Sequence, residues 1–171
     1  MKKEENVFIP GIKLFIICLF VALGLSALNF ITEPIISAAN ELKKQEAMKA
    51  VLVNSEFEKI SETVYEGTKD GKLNGYAVSI TSPIGYGGGI ELIVGFDKDL
   101  NVTGVSFIKM SETNGIGTKT RDEAWFIEQF IGNKVPSEND FSAITGATVS
   151  SKAVRYGLEL AENEVKEAIS R

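Results

Sequence analysis

Apolar residues crowd one end of this chain and alternate with polar ones along the rest. From Leu14 to Ile31 the sequence reads LFIICLFVALGLSALNFI, without a charge. A helix of that length rises roughly 27 Å at about 1.5 Å per residue, close to the hydrocarbon thickness of a bilayer. Lys13 bounds the run on one side and Glu33-Pro34 on the other. The pattern therefore predicts residues 1–13 as a short leading segment, 14–32 as a transmembrane helix, and 33–171 as a water-soluble domain. A cleaved signal peptide is the competing reading, but the run is long for one and no clear small-x-small cleavage site follows it. Gly24, Ser26 and Ala27 offer a small-residue face for another membrane helix, with plain lipid contact as the alternative. Lys2, Lys3 and Lys13 precede the span, while Lys43 and Lys44 follow at greater distance among Glu33 and Glu41. That bias predicts a single-pass cell-membrane protein with a cytoplasmic N-terminus and an extracytoplasmic domain.

Beyond Pro34 the periodicity changes several times. Ile35, Ala39, Leu42 and Ala50 recur at helical spacing, which predicts a helix over 35–53 that leads out of the membrane. Gly67 to Gly75 (GTKDGKLNG) is turn-rich. Three strands are expected, at Tyr76–Thr81, Ile90–Phe96 and Val102–Met110, the last two joined by a hairpin at 97–101. A helix is expected from about Arg121 to Ile131. A final one runs from about Ser150 to Ile169, with Val154, Leu158, Ala161, Val165 and Ile169 on one face. Hairpin-linked strands with helices gathered around them predict an α+β domain, an antiparallel sheet with flanking helices.

Composition narrows the chemistry. With 171 residues, a net charge of -5 and a pI near 4.9, the chain lacks the clustered cations that nucleic-acid binding requires. It contains no His, so it can supply no imidazole base, haem histidine or Ser-His-Asp triad. Its one cysteine, Cys18, lies inside the apolar run and reads as a small lipid-facing hydrophobe. One thiol forms no internal disulfide and holds no iron–sulfur cluster. A redox centre on this chain would be organic or shared with other chains, and no metal site is expected.

Three stretches remain as candidates for chemistry. Gly85-Tyr86-Gly87-Gly88-Gly89 runs into the strand-like Ile90–Val94, so it fails the dinucleotide and P-loop patterns, which need a helix after the glycines. It reads as a turn, or as backbone that can approach something flat. The second stretch, Ser111-Glu112-Thr113-Asn114-Gly115-Ile116-Gly117-Thr118-Lys119, links a strand to a helix and carries hydroxyls and amides suited to the polar edge of a ring system. A solvated connection is its plain alternative. The third, Thr145-Gly146-Ala147-Thr148-Val149-Ser150-Ser151, opens the last helix. Small residues there leave room for a phosphate, the helix end offers free N–H donors, and Lys152 and Arg155 follow in the first turns. Ordinary N-capping by Thr or Ser explains the same residues.

Taken together these stretches resemble the FMN-binding domain of the G subunit of the Rnf electron-transport complex, and its relative, the C subunit of the sodium-pumping NADH:quinone reductase. The likeness runs over nearly the whole chain: an N-terminal span, Tyr-Gly-Gly before a strand, Ser-Glu-Thr-x-Gly-Ile-Gly, a Trp-containing helix, and Thr-Gly-Ala-Thr before a terminal helix. The short length favours the Rnf protein. The resemblance implies FMN joined by a phosphoester to Thr148, attached by a dedicated flavin transferase. It also implies an electron-carrier role beside the other membrane and peripheral subunits of a complex that couples ferredoxin-to-NAD electron transfer to ion translocation. Thr148 is the residue carried over by motif; with it, the expected cofactor-binding residues of the two loops are Thr145, Gly146, Ala147, Val149 and Ser150, and Ser111, Glu112, Thr113, Gly115, Gly117 and Lys119. Of these, Glu112, Thr113 and Lys119 are expected to tune the ring, and no residue is expected to be catalytic. Two positions depart from the family pattern. Asn114 stands where Pro is common, and either suits a turn. Ser142 stands where the flavinylation motif often has Asp, with Asp140 two residues earlier as a substitute. A stand-alone extracytoplasmic flavoprotein and a non-catalytic anchored binding or scaffold protein are the other functions compatible with the sequence.

Overall fold

The computed structural model describes residues 8–170. The chain divides into two compact units, with the boundary between Glu41 and Leu42. Helix α1 (Phe8–Val51) contains the apolar run, which is long and apolar enough to cross a membrane. Pro34, which bounds the apolar run, lies inside this helix. Proline removes one backbone donor from a helix interior. Here the neighbouring turns bond on, with Thr32 Oγ1 donating to the Leu28 carbonyl at 2.9 Å and Ser37 Oγ to the Pro34 carbonyl at 3.0 Å. The predicted apolar face is also not the buried one. Ile35 and Leu42 are exposed, while Ala47, Met48 and Val51 are buried, because in the second unit only the final turns of α1 meet a sheet.

That sheet has five antiparallel strands in sequence order: β1 (Glu56–Lys59), β2 (Val64–Lys69), β3 (Lys72–Ser82), β4 (Ile90–Asp97) and β5 (Val102–Lys109). The three expected strands are present, and the domain is α+β with helices flanking the sheet. Two strands escaped the sequence pattern. β1 is the short, charged edge segment EFEK, and β2 runs into the Gly67–Gly75 stretch that reads as turn. The turn itself is only Asp70-Gly71, both at positive φ, as a two-residue hairpin of right-handed twist requires. In the β4–β5 hairpin, Asp97 accepts from the amides of Asp99 and Asn101. Burial works against its ionisation, but these bonds outweigh that cost and lower its pKa.

Alternation along β4 sends its side chains to two cores. Ile90, Leu92, Val94 and Phe96 face the helix α4 (Thr148–Ile169) and pack with Val154, Leu158, Ala161 and Val165. Ile93 faces the other way, with Ala77 and the end of α1. The predicted face of α4 is therefore buried, except for Ile169, which is exposed near the end of the helix. The helix expected over 121–131 is instead two short ones, α2 (Lys119–Asp122) and α3 (Ala124–Glu128). The break is Glu123, whose backbone is extended and whose carboxylate accepts the Trp125 indole N–H at 2.8 Å. Phe126 and Phe130 then enter the core edge-to-face, with ring centroids 5.5 Å apart.

Two glycines set how closely α1 approaches the sheet. Gly95 and Gly104 are register partners on β4 and β5. A Cβ on Gly95 would lie 2.6 Å from the Val51 carbonyl oxygen, and one on Gly104 would lie 2.9 Å from Val51 Cα. Thr103 Oγ1 donates to that same carbonyl at 2.6 Å, tying off the helix end. Gly104→Val forces side-chain atoms into this contact and is expected to destabilise the fold by about 1–3 kcal/mol. Denaturant unfolding of the detergent-solubilised chain measures it.

Candidate functional site

Three loops converge beside the N-terminus of α4. The link between β3 and β4 contributes Tyr86, and the link from β5 to α2 contributes Glu112, Thr113, Ile116 and Gly117. The turn before α4 and the first turn of that helix contribute Gly146, Ala147, Thr148, Val149 and Ser150. Together these residues enclose a cavity of about 600 Å³.

One carboxylate joins the three loops. Glu112, only 8% exposed, accepts the Gly87 amide on Oε1 at 3.0 Å and the Ser150 hydroxyl on Oε2 at 2.5 Å. The packing around it leaves no space for side chains. A Cβ on Gly117 would stand 2.5 Å from Glu112 Oε2 and 2.7 Å from Ser150 Oγ, and one on Gly85 would stand 2.6 Å from Glu112 Oε1. A Cβ on Gly87 would collide with the Ser111 carbonyl. The 111–119 loop also winds on itself. The Thr113 carbonyl accepts the amides of Ile116 and Gly117, and the Gly115 amide donates to Thr118 Oγ1 at 2.9 Å.

The entry to α4 is a turn in which the Ala147 amide donates to the Ile144 carbonyl at 2.9 Å and Gly146 takes φ +82°. That φ is the conformation at which glycine is preferred in a type II turn. Ser151 locks the turn: its hydroxyl accepts the Ile144 amide and donates to the Ala147 carbonyl. The N-cap residue is Ala147, with no side-chain capping bond, so neither Thr nor Ser caps this helix. Thr148 is its first residue, exposed, and its hydroxyl has no hydrogen-bond partner among the described residues. The amides of Thr148, Val149 and Ser150 precede the first α-helical bond, from Ser151 to Ala147. They are the donors that a helix start presents to an anion.

Several residues singled out from the sequence lie elsewhere. Ser111, Gly115, Thr145 and Lys119 do not line the cavity. Lys119 sits 3.9 Å from Glu123. The two cations in the first turns of α4 are likewise turned away: Lys152 pairs with Glu138 at 2.8 Å, and Arg155 bonds the Pro136 carbonyl and Glu159. At position 142, the Gln129 side-chain amide brackets the Ser142 backbone, accepting from its N–H at 2.8 Å and donating to its carbonyl at 3.2 Å. Asp140 is bonded by Ser137. Two wall residues, Tyr86 and Ile116, were not among the predicted ligands. For Tyr86 the available signal is a large aromatic set between glycines in a loop.

Residues 85–162 match the FMN-binding domain family, a span that takes in all three loops. Over 90% of this chain and 89% of the relative, the sequence is 30% identical to the G subunit of the Na(+)-translocating ferredoxin:NAD(+) oxidoreductase complex of Acetobacterium woodii. It is 30% identical to the G subunit of the proton-translocating ferredoxin:NAD(+) oxidoreductase complex of Clostridium ljungdahlii, over 96% of this chain and 94% of the relative. The G subunit of the ion-translocating oxidoreductase complex of Aliivibrio fischeri is 36% identical over 53% of this chain and 49% of the relative. The chain belongs to the Rnf G-subunit family.

The cavity of this Rnf-family chain suits the group that the matched domain family binds. Its volume lies within the range of small-molecule and cofactor sites, about 300–1,000 Å³. Its walls mix apolar side chains (Tyr86, Ile116 and Val149) with flat glycine and alanine backbone, and free amides and a hydroxyl stand at one end. Among the described residues, the only charged one on those walls is Glu112, already engaged by its two donors. Hydrogen bonds to a charged group contribute about 1.5–3 kcal/mol, and Glu112→Ala is expected to lower stability by about that amount. Glu112→Gln keeps an acceptor and a donor in place and should cost markedly less. Paired denaturant unfolding curves separate the two variants.

Proposed function

We propose that this chain is the flavin-carrying, membrane-anchored subunit of an ion-translocating ferredoxin:NAD oxidoreductase complex, with FMN held by a phosphoester on Thr148 Oγ. Family membership and the FMN-binding domain support a flavin electron-carrier role within such a complex. FMN supplies one- and two-electron chemistry that this histidine-free chain cannot provide from its own side chains.

The observation that carries the attachment site is the difference among neighbouring hydroxyls. Ser150 Oγ is buried and bonded to Glu112, Ser151 Oγ is buried and bonded to Ile144 and Ala147, and Thr145 does not line the cavity. Among these four Thr148 alone lines the cavity, is exposed and has an unbonded hydroxyl; the Thr113 hydroxyl, also exposed on the cavity wall, lies on the 111–119 loop rather than at the free amides of the helix start. A phosphate on that oxygen would sit at the N-terminus of α4, where free amides and the helix dipole favour negative charge. Because Lys152 and Arg155 are engaged elsewhere, the backbone is the principal source of that compensation. The remaining residues hold the loops: Glu112 spans them, and Gly117 keeps the wall beside Ser150 thin.

The N-terminal span is proposed to anchor the chain in the lipid bilayer with the FMN-binding domain outside the cytoplasm. Covalent attachment suits that location, where free FMN is scarce and a dissociable cofactor would be lost. Other membrane and peripheral subunits are its proposed partners, and a flavin transferase its maturation enzyme.

Intact mass of the chain co-produced with a flavin transferase is expected to exceed the sequence mass by about 438 Da, FMN less water. Thr148→Ala should abolish the addition and Ser150→Ala should retain it. Persistence of the heavier species in Thr148→Ala would refute the assignment. In sealed right-side-out vesicles, added protease should digest the C-terminal domain; protection of that domain would reverse the proposed orientation.

A further inference from the structure

The aromatic wall of the cavity has a structural peculiarity. Tyr86 is 77% exposed and packs into neither of the hydrophobic cores, yet the backbone that carries it is tightly constrained. It occupies the corner of a turn closed by the Gly88 amide on the Gly85 carbonyl at 3.4 Å. On one side, Gly85 is pressed against Glu112 and Ile90, where a Cβ would lie 2.6 Å and 3.1 Å from their atoms. On the other, Gly87 donates to Glu112 and abuts the Ser111 carbonyl. Turn corners usually carry Pro, Asp or other small polar residues, and a large aromatic at such a position gains nothing from solvent. Fixing its backbone in advance does lower the entropy lost when it packs on a ligand, since only two side-chain torsions remain to be ordered.

We infer that Tyr86 is a positioning residue that packs its ring against the face of the isoalloxazine of a flavin tethered at Thr148. The inference rests on the reading of the cavity as the flavin site and adds the residue that orients the ring within it. The chemistry of the walls favours this side chain. Among the described residues it is the one aromatic lining the cavity; Ile116 and Val149 contribute aliphatic surface, and the backbone at Gly117, Gly146 and Ala147 leaves room for a planar group. Trp125, the chain's single tryptophan, does not line the cavity, and its indole N–H is taken by Glu123. The contact also has an optical consequence. A phenol stacked on an excited flavin donates an electron to it and recovers that electron on return to the ground state, so fluorescence is quenched without net chemistry.

The test uses the full-length chain, co-produced with a flavin transferase, solubilised in detergent, and checked by intact mass for the FMN addition. Tyr86→Ala is expected to raise flavin fluorescence per bound FMN by about fivefold, the population change that a favourable ring–ring contact corresponds to. It should also shrink the visible circular dichroism of the flavin. Tyr86→Phe should likewise relieve quenching, because it lacks the oxidisable phenol, but keep the circular dichroism, because the ring remains. Trp125→Phe should leave both signals at the wild-type level. A loaded Tyr86→Ala protein with unchanged fluorescence and circular dichroism overturns the stacking role. So does relief of quenching by Trp125→Phe alone. A wild-type chain with no added mass overturns the underlying reading of the site, and the role of Tyr86 with it.

Discussion

The carboxylate of Glu112 is where three separate stretches of the chain meet, and the shape of the cavity depends on it. Its two oxygens take the Gly87 amide and the Ser150 hydroxyl, and its own backbone begins the loop that ends at α2. A buried carboxylate is costly unless its acceptor capacity is met. Here it is met by groups from the two other loops, so the clamp and the satisfaction of the charge are the same bonds. The glycines at 85, 87 and 117 follow from this arrangement. Each sits where a side chain would displace Glu112, its hydroxyl partner or the adjoining backbone.

The scaffold beneath the cavity follows a comparable logic. A five-stranded meander offers two faces, and α4 covers one while the end of α1 covers part of the other. Both helices come close through residues without bulk: Gly95 and Gly104 beneath Val51, and Gly157 against Leu92. Tight packing of α4 along the sheet holds its N-terminus still relative to the ends of β3 and β5, from which the other two loops depart. The free amides, the Thr148 hydroxyl and the carboxylate clamp are thus presented by elements anchored in one core. A preorganised polar end of this kind loses little on ordering when an anion binds.

Electrostatics distinguishes this cavity from a phosphate site built on lysine or arginine. Among the described residues no Lys or Arg lines it, and the only charge on its walls is negative. A dissociable phosphate would gain little from such surroundings beyond the helix start. A tethered one requires no binding affinity to stay, which reconciles the modest anion site with a flavin carrier.

Much of this was legible in the amino-acid sequence. The uncharged run, the alternation of β3 to β5, the apolar face of α4 and the absence of histidine all reflect local periodicity or covalent chemistry, which one dimension records. The order of the Tyr-Gly-Gly, Ser-Glu-Thr and Thr-Gly-Ala-Thr stretches indicated the family for the same reason. The two N-terminal strands were not legible, since a short charged edge strand buries too little to show a period and the second ends in a stretch that resembles a turn. Nor was the fate of Lys152 and Arg155, which helical spacing puts near the phosphate end but which bond the 136–138 segment and Glu159 instead. Only the tertiary structure decided that Thr148 is not a cap, that Ser150 is occupied, and that Tyr86 stands in the wall. The last two outcomes depend on partners 38 and 25 residues apart in sequence, and pairings at such separations are set by how the sheet and α4 pack rather than by any local pattern.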